Sequence, residues 1–229
     1  MKPLPFKMRQ DSQMEKWRAA TFWDKEPETI AWINTFQDDA VFYDIGANIG
    51  LYSLYCATTF PKSIVYAFEP HTANWRAIQH NMLINRLTNM AALMAVVSHI
   101  NGVVGFQEPT NEAGISGSQM MAIEDETTVQ IYSASIDMLA TTRSAPNHVK
   151  IDIDGQELSV VLGMVYSLQS SIQSVLIEVT PESKAIILPI MQTFGYSTNT
   201  WLNTELPHSR TRRAREGIEE ENIIFYRRV

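Results

Sequence analysis

Residues 41–55, V-F-Y-D-I-G-A-N-I-G-L-Y-S-L-Y, decide how this chain folds. Val41, Phe42 and Tyr43 are β-branched or aromatic and predict a short buried strand. Small and turn-forming residues fill 44–50, where the backbone must pass close to something. Beyond them Ile49, Leu51, Tyr52, Leu54 and Tyr55 recur at spacings that a helix gathers onto one or two faces. Strand, glycine turn and helix together form the unit with which an α/β sheet presents a nucleotide-like ligand.

Outward from that unit, strands and helices alternate. Before it, residues 11–37 read as two helical pieces broken within 21–29, with Pro27 in a first turn and Ile30, Ile33 and Phe36 as an apolar stripe. After it come a strand over 63–68 ending at Glu69, a helix over 72–85 capped by Thr72, and a third strand over 90–97. Residues 102–106 are expected to turn back beside that strand, and 107–127 read as a long loop holding Pro109, Gly114 and Gly117. Strands follow over 128–133, 148–153 and 174–179, with helices over 156–167 and 181–194. Residues 196–202 and 222–226 form a closing antiparallel pair. The fold predicted is α/β, a mainly parallel sheet with helices on both faces. Residues 1–38 form a helical extension packed on a core of 39–229, one domain in all.

The net charge of −7 in 229 residues argues against broad binding of a phosphate backbone. The one basic run, Arg210, Arg212, Arg213 and Arg215, is answered at once by Glu216, Glu219, Glu220 and Glu221 and lacks interleaved aromatics, so it reads as a solvated loop. A single cysteine, Cys56, permits no internal disulfide, which fits a cytoplasmic setting; its place in a helix reads as a buried small hydrophobe. The first ten residues carry no apolar run of a secretory signal, and no stretch of ~18 apolar residues predicts a membrane span.

Three ligands compete for the glycine turn. A phosphate loop needs lysine and a hydroxyl after its last glycine, whereas Leu51 and Tyr52 follow Gly50. A dinucleotide site wants G-x-G-x-x-G, whereas this turn has Gly46 and Gly50 with Asn48 between, and Asp44 directly before. A carboxylate there repels a pyrophosphate and attracts an ammonium group. Glu69, at the end of the second strand, is placed to accept both hydroxyls of a ribose. A ribose, an amino acid end and no pyrophosphate describe S-adenosylmethionine.

The stretches D-I-G-A-N-I-G-L-Y-S-L (44–54), A-F-E-P (67–70) and V-K-I-D-I-D-G-Q-E (149–157) resemble the FkbM-type S-adenosylmethionine-dependent methyltransferases, and K-E-P-E-T (25–29) looks like an upstream motif of one branch. The likeness covers roughly residues 20–200, though family members more often carry glutamate where Asp154 stands. It implies a seven-stranded class I fold and O-methylation of a sugar or natural-product hydroxyl. Carried over, it implies that Asp44, Gly46, Asn48 and Gly50 cradle the methionine part and Glu69 the ribose. Ser98 then lies near the adenine, and Lys25 or Thr29 meets the cofactor carboxylate.

The strand over 148–153 brings Lys150, Asp152 and Asp154 to the same site. Asp152 is the first candidate for contact with the cofactor amine or the substrate, and Lys150 for orienting a carboxylate. Asp137 and Ser118 are expected in loops that close over the pocket. Asp152-Ile153-Asp154 also resembles a metal-binding D-x-D, but no third ligand is defined and no metal is expected. His71 and His148 read as structural. The acceptor expected is a small molecule or glycan, not nucleic acid, and self-association into a homo-oligomer is left open. The alternative is a non-catalytic module of the same fold that binds the cofactor without turnover.

Overall fold

The computed structural model describes residues 2–108, 111–121, 128–198 and 220–228. Two helices lead, α1 (Gln13–Lys25) and α2 (Pro27–Ile33), separated by Glu26 alone. Ser12 and Glu15 cap α1 reciprocally, and Pro27 opens α2 where a missing N–H costs nothing. Then follow β1 (Val41–Ile45), α3 (Leu51–Thr59), β2 (Ile64–Phe68), α4 (Thr72–Asn85) and β3 (Met90–Leu93). Four short strands come next: β4 (Val96–Val97), β5 (Gly102–Gln107), β6 (Gln119–Met121) and β7 (Val129–Ala134). The rest is α5 (Ile136–Thr142), β8 (His148–Ile151), α6 (Glu157–Leu162), α7 (Val165–Ser170), β9 (Ser174–Val179), α8 (Pro181–Thr193), β10 (Tyr196–Thr198) and β11 (Glu221–Arg227).

The main sheet has seven strands in the order β3-β2-β1-β8-β9-β11-β10. All run parallel except β11, which is antiparallel to both its neighbours. The strand that opens the decisive stretch is therefore central, and alternation along it serves two layers. Phe42 packs with Phe22, Trp32, Ile33, Leu54 and Ile78 on one face. Tyr43 and Ile45 pack with Val149, Ile151, Val160 and Val175 on the other. The leading helices share the first of these layers. Trp32 is fully buried with its indole N–H donating to Ser174 Oγ at 2.8 Å, and Phe36 stacks on the His148 ring at 3.8 Å. His148 and the buried Cys56 are thus core residues, as expected.

Four expectations need correction. The strand over 90–97 breaks at Ala95, whose N–H bonds back to Leu93 O, and β4 leaves the main sheet to pair with β7. Residues 102–106 lie against β7 and β6 instead of the third strand, which creates a second sheet in the order β4-β7-β5-β6. The helix over 156–167 is two helices, because the chain at Gly163 passes so near Ser98 that a methyl there would stand 2.5 Å from its carbonyl. The cap of α4 is His71, whose ring nitrogen accepts from Asn74 N. Among the expected closing pair, β10 and β11 are antiparallel; residues 199–202, like the arginine run at 210–215, lie outside the described residues.

Candidate active site

The carboxyl ends of β1, β2, β8 and β9 open into one cleft, with β4 and the loop over 115–118 as its far wall. Gly46, at φ +78, makes the floor possible. A methyl on it would stand 1.9 Å from the Asp152 carbonyl oxygen, so only glycine lets the turn pass the end of β8. The turn is tied to β2 by Gly46 and Ala47, whose N–H groups both donate to Phe68 O.

Glu69 stands on the wall that this turn supports. Its two oxygens accept from Asn48 N at 2.7 Å and from His71 N at 2.9 Å. Burial pushes its carboxyl up to about 7, against these backbone bonds, which favour the ionised form. Asn48 itself lies in the left-handed region, and its side chain donates to Ile115 O at 3.0 Å. Asn74 reaches the same carbonyl at 3.1 Å and accepts from Gly114 N at 2.7 Å. Asp154, in a turn at φ +51, accepts from Gly117 N at 2.8 Å. Arg18 completes the strap, donating to Gly114 O and Ser116 Oγ. The loop over 113–118 is therefore fastened to the glycine turn, to α4, to the β8 turn and to α1.

Asp152, its side chain 24% exposed, lines the same cleft and belongs to a largely buried charge cluster. Lys150 Nζ lies 2.5 Å from Asp152 Oδ2 and 5.2 Å from the centre of the Tyr52 ring. Burial opposes the charge on Asp152, but Lys150 and then Lys25 overcome it and hold the carboxyl well below the usual range. Lys150, against its own burial, is held charged by Asp152, Glu26 and Asp44. The Glu178 side chain, at the end of β9, is also hydrogen-bonded to Asp152. Among the described residues the cleft wall carries the acids Glu69, Asp152, Asp154, Glu178 and Glu220 and the cations Arg18 and Lys25. Ile45, Phe68, Val96 and Val97 supply an apolar stretch of wall beside Ser98.

Of the residues singled out from the sequence, Gly46, Asn48, Glu69, Ser98, Lys25, Asp152 and Ser118 do meet at this cleft. Ser98 is already paired, its hydroxyl 2.9 Å from Ser133 Oγ. Asp44 lies behind the turn and not on the wall. It is 1% exposed, one oxygen accepts from Ser53 Oγ at 2.6 Å, the other is buried without a protein partner, and burial raises its carboxyl. Its register partner is Lys150, so it serves as a countercharge within the sheet. Gly50 caps α3 at φ +84 against Ile78, away from the wall. Thr29 is fully buried and donates to Glu26 Oε2. Lys150 is 1% exposed and does not line the cleft; its amine is paired with Asp152. Asp137 is a correction of another kind. It is in α5, not a loop, and its carboxylate accepts from Tyr166 N, Ser167 N and Ser167 Oγ, satisfying the open N–H groups that begin α7.

Sequence reasoning missed Glu26, Glu178, Arg18 and Asn74 as members of the site. Glu178 had a signal, since it ends a strand beside the one bearing Asp152. Arg18 and Asn74 had none, because each depends on where the 113–118 loop lands.

A model of the methyltransferase FkbM domain matches residues 44–198. The chain belongs to the FkbM methyltransferase family. It is 28% identical over 166 residues to the hexuronic acid methyltransferase AglP of Haloferax volcanii, a match covering 72% of this chain and 66% of that protein. It is 23% identical over 163 residues to methyltransferase 1 of Beauveria bassiana, covering 62% of this chain and 66% of that one. The chain thus spans just under two thirds of the length of each. Among solved structures, methyltransferase FkbM from Methylobacillus flagellatus KT has a TM-score of 0.54 at 15% identity, covering 83% of this chain and 44% of that one. That likeness bears out the class I methyltransferase fold, and the family's cofactor is S-adenosylmethionine. The FkbM cleft fits it: a buried carboxyl for a ribose, an apolar stretch for a base, and a second, ionised carboxylate for an ammonium group. Among the described residues no helix is long and apolar enough to cross a membrane.

Proposed function

We propose that this chain is an S-adenosylmethionine-dependent O-methyltransferase acting on a hydroxyl of a sugar or small metabolite. The observation that carries the reading is that two acids line one cleft from the strands on either side of β1. Glu69 stands at the end of β2 and Asp152 at the end of β8, separated by the glycine turn. Glu69 accepts the ribose hydroxyls, and Phe68, Val96 and Val97 flank the adenine. Asp152 takes the ammonium group.

When bound, the cofactor supplies a methyl group activated by a positively charged sulfur. The chain has to align an oxygen with that methyl and exclude water, and alignment alone contributes roughly 7–11 kcal/mol in well-oriented systems. The strapped loop over 113–118 serves both ends. Asp152 is a poor proton acceptor, because Lys150 holds it ionised. Asp152 is therefore assigned to binding and not to proton transfer, and Glu178, hydrogen-bonded to that ionised carboxylate, already holds the proton of the pair. The named relative, a hexuronic acid methyltransferase, supports a sugar acceptor.

The test is transfer of a tritiated methyl group to a panel of neutral glycans, hexuronic acids and polyketides, with Asp152→Ala beside the wild type. Label stable to mild base marks an ether and supports hydroxyl methylation. Base-labile label marks a methyl ester and contradicts it. Tight cofactor binding without any transfer would make the chain a non-catalytic module.

A further inference from the structure

Glu26 is a buried acid that the mechanism above does not use. It is the residue between α1 and α2, fully buried, and it stands at the N-cap of α2. An acid at that position ordinarily turns its side chain onto the helix N–H groups. Here the side chain makes no capping bond and turns inward. One oxygen takes Lys25 Nζ at 2.7 Å, and the other takes the Thr29 hydroxyl at 3.2 Å. Lys150 sits over the face of the Tyr52 ring, 5.2 Å from its centre. Two carboxylates act on it, Asp152 on the cleft wall and the buried Glu26.

That order has an electrostatic consequence. A lysine shared with one carboxylate forms a neutral pair that offers little to a cationic ligand. Without Glu26 two lysines, Lys25 and Lys150, would outweigh Asp152; with it they are matched by two carboxylates, and Asp152 keeps its attraction for a cation. Burial works against ionisation of Glu26, yet Lys25 and Lys150 bring its carboxyl down to about 2, so its charge is permanent at neutral pH. Thr29 and Lys25, which the sequence suggested as cofactor ligands, hold Glu26 in place.

We propose that Glu26 is a positioning residue for the amino acid end of the cofactor, balancing Lys25 and Lys150 so that Asp152 keeps its attraction for the ammonium group. This rests on the cofactor assignment made above. It gives the leading helices a part in binding, since the acid comes from the junction between them and never touches the ligand.

The test compares two ligands on the intact chain by isothermal titration. S-adenosylmethionine carries the amino acid end, and 5′-methylthioadenosine carries only the nucleoside. The account expects Glu26→Gln to weaken S-adenosylmethionine about tenfold while methylthioadenosine stays within about twofold, since only the first ligand carries the ammonium group that Asp152 attracts. Equal weakening of both ligands would make Glu26 a merely structural residue and overturn the inference. Unchanged binding of both would overturn it too, with the cofactor assignment intact. A wild type that binds neither would remove the assignment itself and the inference with it. If Glu26→Gln does not fold by circular dichroism, Thr29→Val, which frees one Glu26 oxygen, is read by the same two ligands and the same criteria.

Discussion

At the scale of single residues the account turns on two carboxyls whose surroundings drive them in opposite directions. Glu69 is raised from 4.5 to about 7, so the folded chain holds a proton there that the unfolded chain gives up. Its contribution to stability is complete below pH 4.5 and is lost as pH rises through 7, by about 3 kcal/mol in all. Ribose hydroxyls donate to the ionised form, so cofactor affinity should rise about tenfold between pH 6 and pH 8. Titration calorimetry across that range checks it, and Glu69→Gln should give a flat profile. Asp152 lies far below any such window, and its role should show no titration near neutrality. Much of this was legible from spacing: Glu69 and Asp152 end strands that flank a glycine turn. The roles of Asp44 and Lys150 were not, because alternation along a strand gives the face of a residue and not its depth. Both turned out to sit within the sheet, paired in register, one step short of the opening.

Among the elements, two close approaches decide whether the cleft exists. Gly46→Ala puts a methyl against the Asp152 carbonyl and a side chain at φ +78. It should cost about 2–5 kcal/mol in chemical denaturation, strain and overpacking together. A loss under about 0.5 kcal/mol, ordinary for a neutral site, would mean the turn and β8 are not in contact. The loop over 113–118 is the second approach. Asn74→Ala removes the bonds to Gly114 and Ile115, and hydrogen exchange over 113–118 should accelerate while β1 and β8 stay protected. Strand and helix identities came through from periodicity, and the misreadings cluster on this side of the cleft. The apolar run over 90–97 looked continuous, yet its residues belong to two sheets, and nothing in the run marks the fold-back at Ala95. Gly163 was the readable signal for the split helix, since a glycine amid an apolar helical pattern marks a close backbone approach.

For the molecule as a whole, the leading helices are a working part and not an appendage. Trp32 is buried between the sheet and Phe36, and Asn222 of β11 donates to Glu28 in α2. Trp32→Ala should cost about 3–5 kcal/mol, seen as an earlier denaturation midpoint. The net charge of −7 argued only against broad binding of a phosphate backbone. What composition could not supply was the shape of the cleft's far wall, which is built by long-range bonds from Arg18, Asn48, Asn74 and Asp154 to one loop. The central claim is that two acids lining one cleft, Glu69 and Asp152, hold a sulfonium nucleoside. Titration calorimetry of the intact chain with S-adenosylmethionine and, separately, with NAD tests it most directly. Saturable one-to-one binding of S-adenosylmethionine with no heat from NAD is the predicted result; tight NAD binding, or none of S-adenosylmethionine, would contradict it.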